Sequence, residues 1–137
     1  MFMPAMAAAA ATDKITIALM GVRGRGRALT AAFCAQPDVN IAYVCDVDSS
    51  VVDGAYKIIE ASGRARPPLV SDIRRCLDDK SVDAIVMGTP LHWHAPGTIL
   101  ACAAGKDVLQ CVVENMSERE NASHIGRRND DGESGFG

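Results

Sequence analysis

The 137-residue chain has little aromatic content (4%) and no excess of basic side chains, since 14 Lys and Arg stand against 17 Asp and Glu. This acidic balance argues against a nucleic-acid or membrane-surface protein. No stretch approaches the roughly 18 uninterrupted apolar residues of a membrane span. No Lys or Arg precedes Asp13, so the charged start of a secretory signal is missing. We therefore predict a cytoplasmic protein without nucleic-acid or membrane partners.

Cysteines are few and carry no spacing typical of metal or redox sites. The five lie at Cys34, Cys45, Cys76, Cys102 and Cys111, and no two form a Cys-x-x-Cys pair. Each falls in a segment typical of an apolar core, which favours buried, reduced thiols over disulfides or metal ligands. A chain of this length buries roughly two thirds of its unfolded surface, enough for one domain without such staples.

Charge and apolar residues divide the chain into three parts. Residues 1–13 are a run of small side chains, which predicts a flexible leader. Residues 114–137 hold three Arg against six Asp and Glu with very few large apolar groups, so we expect a disordered tail. The folded domain is therefore predicted over residues 14–113.

Short apolar runs alternate with amphipathic stretches between residues 14 and 113. The predicted strands cover 15–20, 40–45, 69–70, 82–88 and 107–113, and the predicted helices cover 25–35, 49–61, 73–77 and 95–104. Strands that alternate with helices favour an α/β fold with a doubly wound parallel sheet.

Helical spacing also predicts which side chains of the first two long helices face the core. The predicted core-facing side of the first helix consists of Ala28, Leu29, Ala32 and Phe33. For the second helix it consists of Val52, Ala55, Tyr56 and Ile59, with Ser49 or Ser50 as the N-cap.

A glycine-rich turn joins the first strand to the first helix. In a dinucleotide fingerprint, Gly21 and Gly26 fill the first and third glycine positions, whereas Arg23 occupies the second and Gly24 is displaced by one. Backbone amides at a helix start form an anion site, to which Arg23 or Arg25 can add charge. The competing interpretations are a turn that only ends a strand and a short arginine-glycine RNA-binding tract.

An acid closes the second predicted strand in the position that supports nucleotide binding. Asp46 lies 20 residues after Gly26, where a carboxylate can accept hydrogen bonds from both hydroxyls of an adenosine ribose. A carboxylate there repels a 2′-phosphate, so NAD is favoured over NADP. The alternative is an aspartate that merely opens a turn. A methyltransferase is disfavoured because Leu19 and Met20 stand where an acid is expected before the glycines.

Two alternating histidines, His92 and His94, invite a metal-site interpretation. No third ligand accompanies them in the predicted domain, so we predict no metal. A loop histidine beside a cofactor pocket is the favoured interpretation, and a histidine that caps a helix ahead of Pro96 is the alternative.

These motifs, in this order, resemble the N-terminal half of Gfo/Idh/MocA oxidoreductases, the group of glucose-fructose oxidoreductase and inositol dehydrogenase. The similar stretches are 15–27, 44–48, 79–84, 89–94 and 104–108. The resemblance implies a Rossmann domain that binds NAD(P), with Thr89, Pro90 and His94 lining the cofactor near its redox end. It also implies a parent sugar or polyol dehydrogenase.

The sequence departs from that family after its last predicted strand. The family continues into Glu-Lys-Pro, whose lysine assists proton transfer, whereas Asn115 stands at the lysine position and no lysine follows Lys106. Nothing in the sequence resembles the family's substrate domain. We therefore expect an NAD(P)-binding domain that is catalytically incomplete, with no catalytic residue assigned. The alternative is a non-catalytic nucleotide-sensing or subunit-interaction module, with a partner or second copy on its exposed sheet face.

Overall fold

The computed structural model describes residues 14–110, which form a five-stranded parallel sheet with helices on both faces. The strands are β1 (Ile15–Met20), β2 (Val39–Cys45), β3 (Leu69–Val70), β4 (Ala84–Met87) and β5 (Asp107–Gln110). The helices are α1 (Arg25–Cys34), α2 (Val52–Ala61), α3 (Arg74–Asp78) and α4 (His94–Ala103), with 3₁₀ turns at Ser49–Val51 and Leu91–Trp93. The predicted leader, the predicted tail and residues 111–113 of the last predicted strand lie outside the described residues. Among the described helices, none has both the length and the apolar character needed to cross a membrane.

The strand order is β3-β2-β1-β4-β5, and every neighbouring pair is parallel. This confirms the predicted doubly wound α/β fold. The chain leaves β1 toward β2 on one side and later returns to pair β4 with β1 on the other. Ligands of such sheets bind outside the carboxyl ends of the strands, at the point where the strand order reverses. In this molecule that point lies between the carboxyl ends of β1 and β4.

Two buried clusters, one on each face of the sheet, form the core. Helices α1 and α2 cover the first face, where Val52, Ala55, Tyr56 and Ile59 are buried as predicted. Helices α3 and α4 cover the second face, where Cys76, Leu77 and Ala101 are buried. Burial of these apolar side chains stabilises the packing of the helices on both faces of the sheet. The two layers thereby hold the strand ends in fixed relative positions.

The core-facing side of α1 differs from the prediction. Gly26 and Thr30 are buried and Leu29 and Phe33 pack against the core, whereas both predicted alanines of this face are exposed. The Thr30 hydroxyl donates to the Gly26 carbonyl at 2.8 Å, so its burial leaves no unpaired donor. The prediction was wrong for Ala28 and Ala32 because close backbone packing at Gly26, rather than side-chain hydrophobicity, sets the rotation of the helix.

Two smaller predictions were also wrong. Asp48 caps the 3₁₀ turn Ser49–Val51 before α2, and its carboxylate accepts hydrogen bonds from the Ser50 backbone N–H at 2.9 Å and the Ser50 hydroxyl at 2.5 Å. The N-cap of α2 itself is Val51, which makes no side-chain cap hydrogen bond. Neither serine is the cap, because the chain turns one residue earlier than the helical spacing suggests. Among the cysteines, Cys102 is exposed rather than buried, because it lies on the outward side of α4.

Candidate functional site

Three glycines at the carboxyl edge of the sheet bring three backbone segments into direct contact. Gly21 ends β1 with φ of +77°, and a Cβ there would lie 2.8 Å from the Thr89 Cγ2 atom. A Cβ on Gly26 would lie 2.0 Å from the Gly21 carbonyl oxygen. A Cβ on Gly88 would lie 2.6 Å from the Gly26 Cα. The ends of β1 and β4 and the first turn of α1 therefore approach more closely than side chains allow.

Sequence reasoning missed Gly88. Its backbone N–H donates to the Met20 carbonyl at 2.8 Å, which continues the β1–β4 pairing to the strand end. The available signal was a glycine at the end of a buried strand, immediately before Thr89. Glycine in such a place marks close approach of another backbone.

The middle of the glycine loop (residues 21–26) is open instead of crowded. Gly24 has φ of +46° and ψ of −106°, and a Cβ there would meet nothing within 4 Å. Within residues 14–110, the backbone N–H groups of Arg23 and Gly24 donate no hydrogen bond. These donors lie at the start of the ten-residue helix α1, whose first turn contains no acidic residue. The loop therefore offers free donors and the positive end of a helix dipole to an anion.

The Asp46 side chain is hydrogen-bonded to the glycine loop and does not project freely into solvent. Its Oδ2 accepts from the Val22 N–H at 2.9 Å and its Oδ1 from the Asp48 N–H at 3.0 Å. These bonds orient the half-buried carboxylate and connect the end of β2 to the loop. A carboxylate has about four lone-pair directions, so each oxygen of Asp46 retains one for a further donor such as a ribose hydroxyl.

Arginines and a second acid surround the same loop. The Arg23 Nη2 atom lies 3.7 Å from Asp48 Oδ2, with 77% and 47% of the two side chains exposed. Hydrogen bonds from Ser50, with a smaller contribution from Arg23, hold the pKa of the Asp48 carboxyl below its usual value. Arg25 lies exposed on the first turn of α1. The loop side of the site therefore contains two carboxylates and two guanidinium groups.

The segment after β4 contains two buried polar atoms without partners. The His94 Nε2 lies 3.0 Å from the Thr89 carbonyl oxygen, which can only accept, so Nε2 is the donor of this bond and Nδ1 is left for another partner. Among the described residues, neither His94 Nδ1 nor Thr89 Oγ1 has a hydrogen-bond partner, although both are buried. Unpaired buried polar atoms are rare and indicate a ligand or an ordered water. Pro90 is exposed and precedes the Leu91–Trp93 turn.

The predicted site residues form two groups at one edge of the sheet. The first group is the glycine loop together with Asp46. The second is Thr89 with His94, which the contact between Gly21 and Thr89 connects to the first. Free loop donors and unpaired buried atoms at this edge fit a phosphate-containing polar ligand such as a dinucleotide. Residues 14–110 contain no group of three His, Cys, Asp or Glu side chains that could hold a metal ion.

Comparison with known proteins places this geometry in a family. No protein-family model matches the chain. It is 30% identical over 127 residues to a glycosyl hydrolase family 109 protein of Saccharopolyspora erythraea, covering 86% of this chain and 28% of that protein. It is 34% identical over 126 residues to glycosyl hydrolase family 109 protein 2 of a Shewanella species, and this match covers 85% of this chain and 28% of that protein.

Solved structures agree with the sequence relatives. The myo-inositol dehydrogenase of Corynebacterium glutamicum matches with a TM-score of 0.57 and 26% identity over 71% of this chain and 27% of that one. The structure of GenD2 from gentamicin A biosynthesis, in complex with NAD, matches with a TM-score of 0.61 and 24% identity. This match covers 72% of this chain and 26% of the GenD2 chain. This chain corresponds to the N-terminal Rossmann half of a Gfo/Idh/MocA oxidoreductase. It spans only about 28% of the curated relatives' length.

Proposed function

We propose that this Rossmann half binds NAD(H) at the carboxyl edge of its sheet and serves hydride transfer in a carbohydrate-active or polyol-active oxidoreductase. The observation that carries the proposal is the pair of unpartnered buried atoms, Thr89 Oγ1 and His94 Nδ1, on two residues that share a hydrogen bond, with Thr89 next to Gly21. A turn that only terminates the strand has no need of buried polar atoms without protein partners, whereas a polar ligand would supply those partners. When bound, the nicotinamide supplies the hydride acceptor or donor.

The residues at this edge suggest an order for the parts of the dinucleotide. The diphosphate would lie over the glycine loop, where the Arg23 and Gly24 N–H groups are free within the described part of the chain. The hydroxyls of the adenosine ribose would donate hydrogen bonds to the remaining lone pairs of Asp46. The nicotinamide end would lie toward Thr89, Pro90 and His94. In the sheet order β2-β1-β4, these residues follow β4 and therefore lie on the opposite side of Gly21 from Asp46.

The two carboxylates at the end of β2 support a preference for NAD over NADP. Asp46 and Asp48 lie two residues apart, and Asp48 pairs with Arg23 at 3.7 Å. A 2′-phosphate would bring further negative charge to this place, and like charges about 4 Å apart repel by roughly 1–4 kcal/mol between water and a protein surface. NAD and NADH are also the nucleotides named for two of the solved relatives, GenD2 and levoglucosan dehydrogenase.

The relatives also suggest the class of substrate. Their names include glycosyl hydrolase, myo-inositol dehydrogenase and levoglucosan dehydrogenase. The compounds in these names are sugars or cyclic polyols, which are rings that carry several hydroxyl groups. We therefore propose a sugar or cyclic polyol as the hydride partner of the protein to which this domain belongs.

Titration calorimetry with NAD and NADP tests the proposal. We expect NAD to bind at least about tenfold more tightly than NADP, equivalent to about 1.4 kcal/mol. Asp46→Asn should weaken NAD binding and narrow that gap. The matched control is Asp107→Asn, which changes an exposed acid at the opposite end of the sheet, where β5 begins. Equal affinities for the two nucleotides would refute the role of Asp46.

A second candidate function, a subunit-interaction module, is favoured by a different observation. Several large apolar side chains are exposed on the Leu91–Trp93 turn, α4 and β5. They are Leu91, Trp93, Ile99, Leu100 and Leu109. Large exposed apolar side chains are typical of interaction surfaces. Sedimentation of the purified chain with and without NAD separates the candidates, because a module of this kind would associate without nucleotide.

A further inference from the structure

Arg23 occupies the fingerprint position at which a glycine normally lets the backbone approach the diphosphate. We propose that Arg23 replaces that glycine functionally: its guanidinium leaves Asp48 when a nucleotide binds and contacts the diphosphate. The inference rests on the proposed nucleotide site and assigns to it a residue that determines specificity.

The backbone around Arg23 accommodates a side chain without strain. No residue other than glycine has a positive φ in the described chain, so Arg23 has an ordinary conformation and Gly24 alone takes the unusual one, at φ of +46°. The Arg23 carbonyl accepts from the Gly26 N–H at 2.8 Å. This bond fixes the Arg23 backbone at the start of α1, next to the free loop donors.

The guanidinium of Arg23 is held lightly. It lies 3.7 Å from the Asp48 carboxylate, beyond normal hydrogen-bond length, and 77% of the side chain is exposed. Asp48 keeps its two bonds from Ser50 when Arg23 departs. Exposed ion pairs contribute little, whereas an arginine can bind phosphate oxygens through two parallel charged hydrogen bonds. Exchange of Asp48 for a diphosphate is therefore favourable.

A neighbouring arginine does not share this freedom. Arg27 lies across α2, where a Cβ on Gly54 would come within 2.5 Å of its Nε. Arg23 by contrast belongs to the same loop as the free amides and is paired with Asp48 only at 3.7 Å, so its exposed side chain can reorient from that acid toward a ligand on the loop. Its departure would leave the Asp48 charge less neutralised beside Asp46. Nucleotide binding would thereby strengthen the repulsion of a 2′-phosphate.

The test compares Arg23→Gly, which restores the fingerprint, with Arg23→Gln and with Arg74→Gln. Arg74 is an equally exposed arginine, paired with Asp72 at 2.6 Å on α3, and serves as the matched control. Dissociation constants are measured by calorimetry for NAD, for ADP-ribose and for adenosine, which lacks phosphate. Circular dichroism checks that each variant is folded, and Arg23→Gln carries the test if Arg23→Gly is not.

We expect both Arg23 variants to weaken NAD and ADP-ribose by about tenfold while adenosine binding stays unchanged. The affinity for ADP-ribose should also depend less on salt in these variants, because one charged contact is lost. Arg74→Gln should match the parent chain for all three ligands.

Other outcomes overturn the inference in distinguishable ways. If Arg23→Gly binds NAD as tightly as the parent or more tightly, Arg23 is an obstruction and the inference alone fails. If adenosine binding falls as much as ADP-ribose binding, Arg23 acts on the nucleoside and not on the diphosphate. If the folded parent chain binds none of the three ligands, the proposed function itself fails.

Discussion

A glycine is favoured at the end of β1 for two reasons, its positive φ and its close contact with Thr89, and the substitution Gly21→Ala tests both. Gly21 has φ of +77°, and a Cβ there would lie 2.8 Å from Thr89 Cγ2 and 3.0 Å from the Thr89 backbone. Gly63, just beyond α2, has φ of +79°, but a Cβ there would meet nothing within 4 Å. Gly63→Ala therefore reproduces the backbone strain without the collision. The two variants form a matched pair.

The structure sets the magnitudes. An L-residue with this left-handed backbone costs roughly 1–2 kcal/mol, and both variants share that cost. Overpacking costs a further 1–3 kcal/mol or so, and only Gly21→Ala incurs it because the Thr89 backbone cannot move as a flexible side chain does. We expect losses of stability of about 2–5 kcal/mol for Gly21→Ala and about 1–2 kcal/mol for Gly63→Ala. Small domains have roughly 5–15 kcal/mol of stability, so the parent chain tolerates Gly63→Ala throughout that range and tolerates Gly21→Ala wherever its stability exceeds the loss.

Urea unfolding, followed by circular dichroism, measures both losses. Calorimetry at a temperature where both variants are folded then measures NAD binding. We expect Gly21→Ala to weaken NAD binding, because displacement of Thr89 disturbs the site, and Gly63→Ala to leave it unchanged. Equal losses of stability in the two variants would show that the contact with Thr89 contributes nothing, and the packing argument would be refuted.

Three further predictions follow from individual side chains. Thr89→Val should leave stability in urea equal or higher, since it removes a buried unpaired hydroxyl, yet weaken NAD binding measured by calorimetry. Hydrogen bonds from Ser81 and Tyr43 lower the pKa of Asp79 to about 2. The ionised carboxylate therefore stabilises the folded chain above pH about 4, and this stabilisation is lost as the pH falls toward about 2. In Asp79→Asn, the urea midpoint of unfolding should depend less on pH over that range. A thiol reagent followed by mass spectrometry should modify Cys102 before Cys45, whose pKa is raised by hydrogen bonding to a neighbouring thiol and by burial.

Much of the fold follows from local patterns in the sequence. The β1 strand matches its predicted limits, and the buried face of α2 contains the four predicted side chains. Both elements are defined by apolar spacing, which burial alone explains. The rotation of α1 was not predictable in this way, because close backbone contact at Gly26 acts together with the packing of Leu29 and Phe33, and apolar spacing does not reveal a backbone contact.

The candidate site was predicted only in part, for related reasons. The placement of Gly21, Gly26 and Asp46 at one sheet edge follows from parallel topology, since carboxyl ends of parallel strands share an edge. The hydrogen bond from Val22 to Asp46 depends on a distance between two loops, and no sequence pattern contains that distance. Gly88 was missed because a single glycine at a strand end has several explanations until its neighbours are known.

The glycine fingerprint of this chain therefore combines two kinds of position. Gly21 and Gly26 are required by packing, because a side chain at either would collide with backbone even without a ligand. Position 23 faces open space, so an arginine there leaves the fold intact and changes only what the loop can bind. The crowded glycines are consequently evidence about the fold alone. Evidence for a nucleotide comes from the open positions and from the unpaired atoms of Thr89 and His94, which the fold does not require. Substitutions at position 23, where the backbone φ is not positive, should accordingly change affinity and leave stability nearly unaltered.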